Sequence, residues 1–93
     1  MDGATVTDMI AIAVCAKCEG EGEYERLERE EAKLDDARGA ELRAVVFALQ
    51  DMVFEFCVDA PKMALAGARL ALENILACRR RVGTLAAALT RHS

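Results

Sequence analysis

Glu41-Leu-Arg-Ala-Val-Val-Phe-Ala-Leu-Gln-Asp-Met-Val-Phe-Glu-Phe-Cys-Val58 contains all three phenylalanines of the chain and runs into Asp59-Ala60-Pro61, which holds the only proline. On a helix of 3.6 residues per turn, Leu42, Val45, Val46, Leu49, Met52, Val53, Phe56 and Cys57 fall on one stripe. Phe47, Phe54 and Val58 form a second apolar patch rotated away from that stripe, and Arg43 and Gln50 lie between the two. A helix with two apolar faces needs two surfaces to pack against. The residue before a proline avoids the α region, so this helix has to stop by about Val58. Pro61 then suits the first turn of a following helix, where a missing N–H costs nothing.

That following helix runs from 62 towards 90, and its apolar arc is Leu65, Ala68, Leu72, Ile75, Leu76, Val82, Ala86 and Leu89. Ala64, Gly67, Ala68 and Ala71 keep its first half thin, so a neighbour can approach closely. Gly83 is a candidate interruption. Upstream, residues 23–36 are highly charged. Glu25 faces Arg29 and Arg29 faces Lys33 at i,i+4, while Tyr24, Leu27, Leu34 and Ala37 leave only a thin apolar seam. That seam continues in phase into Leu42, so one long helix over 23–58, kinked at Gly39, is expected. Thr5 with Asp8 reads as a helix start for Met9-Ile-Ala-Ile-Ala-Val14. Gly20 and Gly22 read as a loop after it. The expected fold is therefore all-α. An antiparallel helical hairpin (about 23–58 and 62–90) joins a short N-terminal helix (about 5–17), and dimerisation completes the bundle.

Composition agrees with helix. The chain has 93 residues, 54% hydrophobic, which suits a single helical domain over 1–93 with a modest core. Eighteen alanines against one proline and one tyrosine favour helix over sheet. The formal charge of −4 is unevenly spread: residues 1–59 balance at −9 and residues 60–93 at +5. Halves of opposite sign are expected to meet within the fold or across a dimer. The N-terminus lacks the basic region of a secretory signal, and Met9–Ala16 is too short to span a bilayer, so a cytoplasmic protein with reduced thiols and no membrane contact is expected.

Cys15-x-x-Cys18-x-Gly20-x-Gly22 resembles the repeat unit of the DnaJ-type cysteine-rich zinc region, over eight residues only. In that family two such units supply four thiolates to each zinc, and the glycines allow a tight knuckle. The resemblance is to a motif, and the chaperone function does not follow from it. Cys57 and Cys78 lie about 20 Å apart on the two arms of the hairpin, too far to share a metal or a disulfide. His92 reaches the motif only if the tail folds back. A zinc site is thus expected only between two chains, with Cys15 and Cys18 from each; otherwise no cofactor is implied. Cys57 reads as a core residue.

Three further features bear on function. The segment Glu19–Glu41 is dense in carboxylates, with Glu28, Glu31 and Asp35 among them. Such a surface can imitate a phosphate backbone, and the chain is similar in size and charge to small acidic inhibitors of phage origin. Arg79-Arg-Arg81 is the basic cluster, and Arg79 falls within the apolar arc, where it needs a carboxylate partner; Glu41 is one candidate and the acidic helix of another chain the alternative. Without aromatic platforms or a helix-turn-helix pattern, direct nucleic-acid binding is not expected. No nucleophile–base pair or phosphate loop points to an enzyme. The leading expectation is a small non-enzymatic regulatory module that binds an unidentified protein and self-associates as a homodimer or higher oligomer. Phe47, Phe54, Val58, Leu49, Met52 and Leu72 would form or support that interface. The alternative is an acidic inhibitor that blocks a nucleic-acid-binding protein.

Overall fold

Two helix beginnings in this chain are set by side-chain oxygens that meet otherwise open backbone N–H groups. The protein is described by a computed structural model over residues 5–30 and 34–91. It comprises α1 (Val6–Arg29), α2 (Ala37–Asp59) and α3 (Leu65–Arg91), with a short 3-10 turn at Ala60–Lys62. Thr5 and Asp8 close a capping box on α1: Thr5 Oγ1 accepts from the Asp8 N–H at 3.1 Å, and Asp8 Oδ2 accepts from the Thr5 N–H at 3.2 Å. Asp36 caps α2 by accepting from the Gly39 N–H at 2.9 Å. Among the described residues the protein is all-helical and contains no strand.

Three expected boundaries are corrected; the first is that α3 starts at Leu65 and not at 62, because Pro61 lies in the 3-10 turn Ala60–Lys62 and the chain is extended at Met63 before α3 begins. α1 does not end near residue 17 but continues through Cys15, Cys18, Gly20 and Gly22 to Arg29. Its buried positions Met9, Ala13, Ala16, Gly20 and Leu27 recur at intervals of three, four and seven, so the seam passes straight through the glycines. Gly20 is buried where α1 approaches α2 and α3; a Cβ there would lie 2.7 Å from Leu49 Cδ2. Close approach outweighs a helix penalty of about 1 kcal/mol for glycine. The third correction concerns 23–58, which is not one helix. It breaks after Arg29, and Asp36 starts a new helix. Gly39 is not a kink but sits in the first turn of α2, where a Cβ would run into the backbone of Leu34.

The α2 stripe is inside as expected: Leu42, Val46, Leu49, Val53 and Phe56 are buried, and Val45, Met52 and Cys57 are partly buried against them. From α3 the core receives Ala68, Ile75, Val82, Ala86 and Leu89. Leu65, counted in the α3 arc, is instead 43% exposed. Gly83 does not interrupt α3. Spacings of three and four along all three seams are those of coiled-coil packing.

Every helix touches the other two. Gln50 meets Glu21 and Phe47 meets Tyr24, so α2 runs back along α1. Cys78 donates to the Val45 carbonyl at 3.6 Å and Arg81 pairs with Glu41, so α3 runs back along α2. Burial pushes the Cys78 thiol above its ordinary pKa, partly offset by Arg81. α1 therefore forms the third wall of a core closed within one chain, in a molecule of 44 × 22 × 17 Å. No helix among the described residues is long and apolar enough to cross a membrane.

Candidate functional site

Phe47, Phe54 and Val58 stand four and seven residues apart on α2, which keeps them along one side of the helix. That side faces out: Phe54 is 71% exposed, Phe47 50% and Val58 49%. α1 covers only the Phe47 end. There the rings of Tyr24 and Phe47 lie 6.5 Å apart at a tilt of 58°, within the range of favourable aromatic contacts. Tyr24 was legible in the sequence as a seam residue, but its pairing with Phe47 depends on how α1 and α2 align.

The polar strip between the two α2 faces latches α1 in place. Gln50 Nε2 donates to Glu21 Oε2 at 2.6 Å, and Lys17 Nζ reaches the same carboxylate at 3.1 Å. The Gln50 hydrogen bond is the main reason that the Glu21 carboxyl is held below the usual glutamate range; burial opposes this and Lys17 assists. Arg43 Nε donates to the Tyr24 hydroxyl at 3.0 Å, and Arg43 Nη2 donates to the Leu34 carbonyl at 3.4 Å. Beside this strip lies a cleft of about 270 Å³ lined by Glu21, Tyr24, Glu25, Glu28, Val46, Phe47 and Gln50. The site is thus an aromatic ridge that ends in an acidic cleft.

The remaining expected interface residues do not join this ridge. Leu49 is fully buried, so it supports the face from within and forms no part of its surface. Met52 lines a separate groove of about 210 Å³ between α2 and α3, with Glu55, Phe56, Asp59, Met63, Ala71, Asn74 and Ile75. Leu72 is partly buried against the core. Ile12, Val14 and Leu70 are also exposed, at 47%, 40% and 60%. Leu70 falls outside the apolar arc of α3, and that position on the helical wheel was its only signal in the sequence.

The acidic segment is divided by the fold. Of the candidate partners for Arg79, Glu41 is not the one it meets; it pairs with α1 of the same chain, its Nη1 3.1 Å from Glu23 Oε2 and its Nε 3.4 Å from Glu19 Oε1. The Glu19 contact is an ion pair off the hydrogen-bond angle, since the buried Nε has no hydrogen-bond partner. Glu41 pairs with Arg81 at 3.5 Å. Glu28 and Asp35 remain exposed. Glu31, Lys33 and His92 lie outside the described residues.

Cys15 and Cys18 are free thiols on the exposed side of α1, one turn apart, and Cys15 Sγ donates to Glu19 Oε2 at 3.9 Å. The resemblance to a zinc knuckle does not extend to conformation, because the motif is continuous helix. Cys57, expected in the core, is only partly buried. Among the described residues no three His, Cys, Asp or Glu side chains gather as metal ligands. No protein-family model, curated protein or solved structure matches this chain.

Proposed function

We propose that this chain is a small non-enzymatic protein-binding module, acting in the cytoplasm, that uses the Phe47–Phe54–Val58 face of α2 to self-associate and to engage a protein partner. The exposure of Phe54 carries this reading. The core is closed by α1, α2 and α3, yet a phenylalanine stands 71% exposed on the middle helix. Burying such a side chain contributes roughly 1.5–3 kcal/mol, and a second aromatic and a valine lie in line with it. The role of a second chain is then to cover this face; it is not needed to complete the core. Light scattering at tens of micromolar tests the self-association: a mass above the monomer is expected, and a strictly monomeric species would count against it. The reading as a nucleic-acid mimic has less support, because Glu19, Glu21, Glu23 and Glu41 are engaged with cations inside the fold.

A further inference from the structure

The aromatic ridge of α2 and its acidic cleft have a counterpart on this same chain. Ion pairing inside the fold joins Glu19 and Glu23 to Arg79, Glu41 to Arg81 and Glu21 to Lys17. Around the ridge, exposed Glu25, Glu28, Asp51 and Glu55 are left without an ion pair among the described residues. On the outer side of α3, Arg69 and Arg80 are likewise exposed and unpaired among them, beside Leu70. Neighbours of Leu70 on that side are Ala66 and Ala77, which let a second helix come close. One face is aromatic and anionic, and the other is a thin cationic helix with a leucine anchor.

We infer that the occupant of the Phe47–Phe54 ridge is the outer side of α3 from a second copy of this chain, in a head-to-tail contact between unlike faces. This rests on the reading of the ridge as a protein-binding face and adds what binds there. Lengths agree. Leu70 and Arg80 are ten residues apart on α3, about 15 Å along its axis. The register of Tyr24 on Phe47 and Glu21 on Gln50 puts Glu25 level with Val46 and Glu28 level with Arg43. Those levels are about 12 and 16 Å from Phe54 along α2. With Leu70 seated on Phe54 and α3 antiparallel to α2, Arg80 of the second copy reaches the Glu25–Glu28 cleft. Glu73 is the one acid on the docking side, and it faces Arg69 across the helix surface at i,i+4. Because the two faces differ, each docked pair leaves one of each open, and association continues beyond a dimer.

Complementation between two variants tests this. Phe54→Glu removes the ridge and Leu70→Glu removes its counterpart, and both positions are exposed, so helicity by circular dichroism should be retained. For the wild type, mass by light scattering should rise steadily with concentration and fall in high salt. Each variant alone should be monomeric. Their equimolar mixture should recover a dimer and stop there, since each chain keeps one intact face. If Leu70→Glu associates as the wild type does while Phe54→Glu is monomeric, the contact is between two ridges; the inference is overturned while self-association stands. A mixture that stays monomeric also overturns it. A wild type that is monomeric throughout overturns both the inference and the self-association.

Discussion

Glycine carries opposite meanings at different positions of this chain. At Gly22 on α1 an added Cβ would meet nothing within 4 Å, so only the helix preference for alanine remains. Gly22→Ala should therefore stabilise the fold by about 1 kcal/mol. At Gly39 the same change drives a methyl into the backbone of Leu34, which no rotamer can relieve. Gly39→Ala should destabilise by about 1–3 kcal/mol despite the better helix former. Urea midpoints of the two variants check this, and a gain at both sites would refute the close approach of Leu34 to α2. Local sequence could read Gly22 only as a loop residue and Gly39 only as a kink, because crowding at a Cβ is a tertiary fact.

At the scale of the elements, α1 is held by two polar latches, one on each neighbour. Arg43 and Gln50 of α2 bind Tyr24 and Glu21, and Arg79 of α3 binds Glu19 and Glu23. Arg79 occupies a position where the α3 seam otherwise buries Ile75, Val82 and Ala86, and its side chain is only 22% exposed. Partial exposure of Glu23 moderates the value of the pair. Arg79→Ala should cost about 1–3 kcal/mol, since it strips Glu23 of its partner and leaves space behind. Adding Glu23→Gln to that variant should cost less than the same change costs in the wild type. Strictly additive costs in denaturant titrations would mean that the two side chains do not act together. The need of Arg79 for a carboxylate was legible from its position in the arc. Its partner was not, because the hairpin geometry brought Glu41 within reach and said nothing of where α1 lies.

For the whole molecule, the division between core and surface sorts the residues that the sequence grouped as one interface. Leu49 and Phe54 lie five residues apart on α2; one is fully buried and the other is 71% exposed. Leu49→Ala should lower stability by about 2–5 kcal/mol. Phe54→Ser should change it by no more than about 0.5 kcal/mol in dilute protein, where association does not contribute. Thermal or urea unfolding of both variants at low concentration distinguishes them. A large loss at Phe54 would mean that it packs inside the chain.

The sequence by itself determined what depends on near neighbours along the chain. The two faces of α2 follow from the 3.6-residue period, the end of α2 before Pro61 from proline sterics, the start at Thr5 from its capping box, and most of the α3 arc from spacing. Only the tertiary structure decided that α1 runs unbroken through Cys15, Cys18, Gly20 and Gly22, that the chain turns before Asp36, and that Arg79 finds Glu23. Those outcomes rest on through-space register. Burying α1 along its whole seam against α2 and α3 outweighs the local helix penalty of two glycines, and no window of sequence contains that sum.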